Sequence, residues 1–333
     1  MLEWRELAVF VVAVAVMSLA SVRLATVLER ICSRLRFSDG LLGIVTALGA
    51  DAPEICSAIA ALLSDHHEVG LGVVIGSNIF NLAGLLGLSA LVAGRVTIGR
   101  QGLWFNGGTS LVVSVVVVAL LLQWISVWFS LLLLALVLVP YVALTAMHPP
   151  QIVKLRLPPA MKSFFSTAVG HSHNDARKRL NIPHASWKDG LWAIVSLLLI
   201  VLSSFSAVDT AVSLGSSWGI SEAVLGMLIL AALTSVPNVI AAIYLARDGR
   251  GAAVVSESLN SNTLNILAGI CLPALLIGFE QPTTVIIYAA IWLLCMKFIS
   301  LLVASHHNGL HRVGGAVIML LYLLFALAIM LWH

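Results

Sequence analysis

Residues 40–64 read GLLGIVTALGADAPEICSAIAALLS, an apolar run interrupted at its centre by Asp51, Pro53 and Glu54. About 20 apolar residues are enough for a helix to cross a bilayer, so the run predicts a membrane-spanning helix. Asp51 and Glu54 are three residues apart and therefore share one face of that helix. A carboxylate at the bilayer centre costs roughly 3 kcal/mol, so the pair predicts a functional site where a cation or a proton offsets the charge.

A structural interpretation of the two acids remains open. Asp51 would then cap the half-helix that begins near Pro53, and Glu54 would be protonated and hydrogen-bonded. Glu54 is the stronger functional candidate of the two.

The whole chain has the composition of a membrane protein. Of its 333 residues, 60% are hydrophobic and only 10% are Asp, Glu, Lys or Arg, whereas a soluble domain carries about 25% charged residues. This composition excludes a soluble enzyme, a nucleic-acid binder, a secreted disulfide scaffold and a disordered protein. The four cysteines lie apart in or beside apolar stretches and are predicted to be buried thiols.

Ten apolar runs of span length follow one another along the chain, which predicts an all-α polytopic membrane protein. The runs lie near 7–28, 40–64, 69–94, 103–122, 125–147, 189–214, 219–245, 251–278, 282–304 and 310–332. The loops after spans one, three, five, seven and nine carry most of the Lys and Arg residues, and we call their side of the membrane the basic face. Loops of the opposite face carry none. Since positive loops stay in the cytoplasm, both termini are predicted to lie outside.

One long loop, residues 148–188, divides the chain into a first five-helix repeat at 1–147 and a second at 189–333. The loop is basic, so it is predicted to be a solvated cytoplasmic linker that contacts anionic lipid headgroups. A regulatory role is the alternative. Its histidines are irregularly spaced and are weak metal candidates; they are His171, His173 and His184.

The two halves repeat with an offset of 184 residues, the separation of Pro53 from Pro237. The other matching pairs include Ser77 and Ser261, Asn78 and Asn262, and Asn81 and Asn265. Each half holds five spans, an odd number, so the second half is predicted to insert upside down relative to the first. Inverted repeats with proline-broken helices are typical of secondary transporters, whose substrate site lies where the repeats meet.

Oxygen-bearing side chains cluster around the matching pairs. Besides Asp51 and Glu54, the candidate ligands are Ser77, Asn78, Asn81, Thr234, Ser235, Asn238, Glu257, Ser261, Asn262 and Asn265. Their oxygens suit hard cations such as Na⁺, Ca²⁺, Mg²⁺ or Mn²⁺. Carbonyls freed one turn before Pro53 and Pro237 would find a partner in such a cation. Contacts between helices are the alternative role for the amides and hydroxyls.

Weaker candidates lie elsewhere in the spans and loops. Lys297 in span nine is expected to snorkel, and Asp209 near the outer end of span six is expected to be solvated. His66 and His67 belong either to a metal-attracting entrance or to a hydrated turn.

Four stretches together resemble the cation/calcium exchanger superfamily. They are GADAPE (49–54), GVVIGSNIFN (72–81), TSVPN (234–238) and SESLNSNTLN (256–265). The resemblance implies that Glu54 is the main ion-binding carboxylate. It also implies that both sets of Ser and Asn residues, with Thr234 and Ser235, line the ion site. Spans one and six would be the family's mobile outer helices.

The second repeat departs from the family pattern. Asn238 stands where a second glutamate is usual, Asp51 stands where Ser is usual, and Asn260 replaces a Gly. Glu257 holds a position usually occupied by Asn. The carboxylates are therefore rearranged, and another cation or proton coupling becomes an alternative to ordinary sodium/calcium exchange.

The sequence thus predicts a secondary active antiporter that exports a divalent cation, Ca²⁺ by family default, in exchange for Na⁺ or H⁺ by alternating access. The alternative is a Na⁺- or H⁺-coupled transporter of the same fold for Mg²⁺, Mn²⁺, Fe²⁺ or a small organic solute. An enzyme is disfavoured because HExxH is missing, and a non-transporting sensor is a further alternative. The expected partners are the lipid bilayer and the transported ions, with no nucleic acid and no cofactor. The small size favours a prokaryotic inner membrane, and the oligomeric state stays open.

Overall fold

The computed structural model describes residues 2–35, 37, 39–176, 186–278, 281–306 and 309–332. Ten of the helices in these ranges are long and apolar enough to cross a membrane, which confirms the predicted all-α, ten-span architecture. His184 and the side chains of His171 and His173 lie outside the described residues, so the metal hypothesis for them stays a prediction.

Five spans precede the linker and five follow it. The first five are α1 (Leu2–Arg34), α2 (Asp39–Leu63), α3 (His67–Ala93), α4 (Arg100–Leu121) and α5 (Val127–Ala146). The last five are α8 (Trp187–Ser217), α9 (Glu222–Arg247), α10 (Gly251–Leu276), α11 (Thr284–His306) and α12 (Arg312–Leu331). The helices α3, α9 and α10 each contain a π-helical stretch, a feature frequent at functional sites.

The spans that carry the polar motifs form the centre of the bundle. In α3, 94% of the most apolar stretch is buried, against 17% in α5. The helices α2, α9 and α10 pack around α3, whereas α1 and α8 pack extensively against each other and against α2. Polar residues in the membrane must find partners among protein groups, and this arrangement places the motif residues where such partners exist.

The linker is more ordered than predicted. It contains a short helix α6 (Pro149–Val153) and an 18-residue helix α7 (Pro159–Ala176). Phe165 of α7 contacts Phe105 of α4 with ring centroids 5.6 Å apart, and Ala168 and Val169 are buried. The apolar residues of α7 dock on the bundle, so this part of the linker is not the fully solvated segment that its basic charge suggested.

A short antiparallel ribbon joins the two repeats. Strand β1 (Arg95–Thr97) lies between α3 and α4, and strand β2 (Gly309–His311) lies between α11 and α12. Gly309 has φ 138° and lies against the Val96 carbonyl, where a side chain would clash. The ribbon therefore fixes the two repeats to each other by main-chain hydrogen bonds at the basic face.

Lys297 is fully buried rather than snorkelling to the surface. Its Nζ donates to the Ser110 carbonyl oxygen at 3.2 Å, to Ser110 Oγ at 3.0 Å and to Ser114 Oγ at 2.6 Å. These three oxygens replace water around the amine, so the side chain has no need to reach the interface. Asp209 is exposed, as expected.

In the outer turn, His66 makes a hydrogen bond with a carboxylate. His66 Nδ1 lies 2.8 Å from a carboxylate oxygen of Glu222, which ties the start of α3 to the start of α9. Within the described ranges no group of three His, Cys, Asp or Glu residues has metal-binding geometry.

Candidate functional site

Pro53 interrupts the hydrogen bonding of α2 next to the acidic pair. Proline has no N–H to donate, so the Gly49 carbonyl loses its helical partner. Ser21 of α1 supplies the replacement, donating to the Gly49 oxygen at 3.3 Å and to the Ala50 oxygen at 2.9 Å. A hydroxyl therefore satisfies the freed carbonyl, and no bound cation is required there.

Glu54 lies at the centre of a ring of donors from three other spans. Ser235 donates to its Oε1 at 2.6 Å, and Asn238 donates to the same oxygen at 3.3 Å. Asn81 donates to both carboxylate oxygens at 3.4 and 3.3 Å, and Asn265 donates to Oε2. Glu54 is only 1% exposed, so these bonds take the place of its hydration.

Asp51 is held beside Glu54 by donors of the second repeat. Asn238 donates to Asp51 Oδ1 at 2.8 Å, and Ser261 donates to the same oxygen at 2.5 Å. Because Asn238 bonds with both acids, its amide bridges the pair. Asp51 is also 1% exposed, so two buried carboxylates meet between the repeats.

The two repeats meet through a reciprocal pair of asparagines. Asn78 donates to the Asn262 carbonyl at 3.3 Å, and Asn262 donates to the Asn78 carbonyl at 3.2 Å. The two residues are separated by 184 positions, the offset of the repeat. The bonds therefore lie about a local two-fold axis where α3 and α10 cross.

Four buried oxygens around the acids have no hydrogen-bond partner. They are Asp51 Oδ2, Asn81 Oδ1, Asn262 Oδ1 and Asn265 Oδ1. Buried polar atoms are nearly always bonded, so four in one place need an explanation. Carboxylate and amide oxygens are ligands that hard cations prefer, so these unpartnered atoms are candidate ligands for an ion.

Two further predicted ligands also bond within their own helices. Thr234 is buried, and its hydroxyl donates to the Leu230 and Ala231 carbonyls. The Ser77 hydroxyl lies 3.1 Å from the Val74 carbonyl oxygen and is also within hydrogen-bonding reach of the Glu54 carboxylate. Ser77 therefore belongs to the group of side chains around Glu54.

A cavity of about 650 Å³, here called the vestibule, extends from the basic face to Asn238, whose amide bonds with both acids. Its lining includes Glu29, Thr46 and Asp248 near that face and Asn238 and Ala50 at its inner end. Glu257 lies in its wall and is half-buried. The vestibule therefore approaches the site from the basic side of the membrane and ends at Asn238, next to the two acids.

Sequence reasoning missed the residues that shape the vestibule. Tyr141 of α5 donates to Asn106 at 2.8 Å and also bonds with Asn260. Asn106 in turn donates to Ser256 at 2.9 Å. The only signal for these residues is their polarity within apolar spans, and that signal does not reveal their partners.

Two buried carboxylates ringed by amides and hydroxyls, at the junction of two inverted repeats and beside a vestibule from one face, define a membrane transporter for cations. The sequence also matches a family of this class. The model of the sodium/calcium exchanger protein family matches residues 5–146 and 189–331, which cover nearly all of both repeats and omit the linker. The chain belongs to this family of membrane cation exchangers.

Individual relatives agree with that assignment. The chain is 36% identical over 138 residues to the mouse sodium/potassium/calcium exchanger 1, a match of 39% of this chain but only 12% of the mouse protein. It is 28% identical over 240 residues to inner membrane protein YrbG of Escherichia coli strain K12, covering 70% of this chain and 67% of that protein. The solved H⁺/Ca²⁺ exchanger CAX has the same fold, with a TM-score of 0.71, 14% identity and coverage of 97% and 82% of the two chains.

Proposed function

We propose that the protein is a secondary active antiporter that exports a divalent cation, Ca²⁺ by family default, from the cytoplasm in exchange for Na⁺ or H⁺. The observation that carries the proposal is the pair of buried carboxylates, of which Asp51 Oδ2 is unpartnered among the described residues, together with three unpartnered amide oxygens of the surrounding asparagines. Two negative charges and several neutral oxygens match the charge and the hardness of a divalent ion. The relatives named for calcium exchange support the choice of Ca²⁺.

The amides suggest how ions compete for the site. In the described state, the amide nitrogens of Asn81, Asn238 and Asn265 face the carboxylates. Rotation of a terminal amide exchanges its nitrogen for its oxygen at nearly the same position. A divalent ion would thus take over the carboxylates and turn amide oxygens toward itself, while protons or Na⁺ would displace it by using the same oxygens.

Alternating access would follow from the inverted repeats. The vestibule lets ions enter from the basic face, which the charge distribution predicts to be cytoplasmic. Movement of α1 and α8 against the central helices would close this side and open the other. The bacterial relative named as an inner membrane protein supports the same membrane for this chain.

Transport in proteoliposomes tests the proposal. A Na⁺ gradient or a pH gradient should drive uptake of radioactive Ca²⁺, and Glu54→Gln should abolish it because the ring of donors then surrounds a neutral amide. Asp209→Asn is the matched control, since Asp209 is exposed on α8 and outside the site. Equal gradient-driven uptake by Glu54→Gln and the unaltered protein would reject the site.

A second candidate keeps the fold and changes the cargo to Mg²⁺, Mn²⁺, Fe²⁺ or a small organic solute. It is favoured by Asn238, whose amide bonds with both acids where the family pattern has a further glutamate. Competition of each ion against radioactive Ca²⁺ separates the two candidates. Saturable Ca²⁺ binding that none of the other ions displaces would reject the second.

A further inference from the structure

Close packing of main chain on main chain seals the site from the opposite face. Gly72 and Gly76 of α3 lie between that face and the acids, against Gly226 and Met227 of α9. A Cβ added to Gly76 would fall on the Met227 carbonyl, and one added to Gly226 would lie 2.5 Å from the Val69 oxygen. Two helices approach this closely only where glycine leaves room.

The corresponding place on the basic side has different residues. The repeat offset relates Gly72 to Ser256, Gly76 to Asn260 and Met227 to Gly43. These three residues line the vestibule. A Cβ added to Gly43 would meet nothing within 4 Å, so α2 and α10 are apart where α3 and α9 are in contact.

The side chains of Ser256 and Asn260 are also held in place. Tyr141, 6% exposed, bonds with Asn260 and with Asn106, and Asn106 bonds with Ser256. This cluster attaches the vestibule wall of α10 to α4 and α5. The two side chains are therefore fixed parts of the wall.

We infer that Asn260 and Ser256 keep the basic side of the transporter from closing by the packing that closes the opposite side, and so favour the state with the vestibule open. Mirror-image closure would drive the Cβ of Asn260 onto the main chain of Gly43, as a Cβ at Gly76 would meet Met227. During such closure, α2 could therefore not approach α10 as closely as α9 approaches α3. The inference rests on the alternating access of the proposed function. In that cycle Asn260 and Ser256 are positioning residues, because they limit how closely α2 approaches α10.

Labelling of a cysteine in the vestibule tests this inference without measuring transport. Thr46→Cys, in full-length protein whose native cysteines are replaced, reports whether the vestibule admits a water-soluble maleimide. Asn260→Gly combined with Ser256→Gly removes both Cβ atoms and allows closure, so labelling should slow about threefold or more. Asn260→Ala combined with Ser256→Ala is the matched control, because it loses the hydrogen bonds but keeps both Cβ atoms. This control should label at the unaltered rate.

Two outcomes would overturn the inference: unchanged labelling in the glycine variant, or equal slowing in both variants. Monodispersity and a thermal melt confirm folding, and single Asn260→Gly and Asn260→Ala variants replace the pairs if the double glycine variant unfolds. Because labelling needs no ion flux, failure of Ca²⁺ exchange leaves this test intact. The Glu54→Gln transport assay addresses that exchange separately.

Discussion

Asn78 and Asn262 donate to each other's main-chain carbonyls at 3.3 and 3.2 Å, across 184 residues of sequence. Each side chain thus bonds with the main chain of the equivalent residue in the other repeat. The bonds hold α3 and α10 at their crossing, next to Glu54 and Asp51. The ion site is therefore built about the axis that relates the two repeats, and neither repeat contains it alone.

Asn78→Ala and Asn262→Ala should destabilise the protein by similar amounts. Each removes one donor between the repeats, while the Asn78 carbonyl keeps the Leu82 N–H as its helical partner, so each should cost about 0.5–1.5 kcal/mol. Reversible unfolding in mixed detergent measures the change in the free energy of unfolding. A large difference between the two variants would contradict the near-equivalence of the two bonds.

Asp51→Asn should weaken divalent binding at least about tenfold, since it removes one of two charges and the unpartnered Oδ2 of the acid. Calorimetric titration with Ca²⁺ in detergent measures the affinity. Asp189→Asn is the control. The Asp189 carboxylate lies outside the site and pairs with Arg30 at 3.4 Å. Unchanged Ca²⁺ affinity in Asp51→Asn would show that Asp51 only caps its half-helix.

Ser21→Ala should destabilise the protein by about 1–3 kcal/mol, because the Gly49 carbonyl freed by Pro53 then has no partner in a membrane interior. Ser33→Ala is the control, since the Ser33 hydroxyl is exposed and bonds only with the Glu29 carbonyl of its own helix. Thermal melts of the two variants should differ clearly. Equal melting temperatures would mean that the carbonyl needs no partner from α1.

Lys297→Met should change the free energy of unfolding by less than about 1.5 kcal/mol, because Met fills a similar volume and no charge remains to be buried. Lys297→Ala should cost roughly 2–4 kcal/mol, since it leaves a cavity between α4 and α11. The same unfolding assay compares both. If Met destabilises as much as Ala, the three oxygens around the amine contribute more than its packing does.

The sequence predicted the spans, the repeat and the position of the acidic pair within a span because each leaves a signal in the sequence. Span length and the Lys and Arg content of loops are local signals, and the recurrence of Ser77, Asn78 and Asn81 is found by comparing the two halves of the chain. Partners distant in sequence leave no such signal. The bond from Ser21 to Gly49 and the burial of Lys297 against Ser110 depend on which helices pack together.

The contacts of the linker and of the vestibule wall also join residues that are distant in sequence. The basic charge of the linker predicts a solvated segment, but charge alone does not show that Ala168 and Val169 are buried or that Phe165 contacts Phe105. Tyr141 gave no functional signal, because its role depends on Asn106 and Asn260 from two other spans. Such residues become recognisable only once the helix neighbours are known.

The ribbon of β1 and β2 has a consequence for how the protein is made. Each strand is contributed by a different half of the chain, so the half synthesised first carries an unsatisfied strand until the last two helices arrive. Strand β1 can therefore pair only after residues 309–311 have been synthesised, so the seam between the repeats closes late in the assembly of the chain.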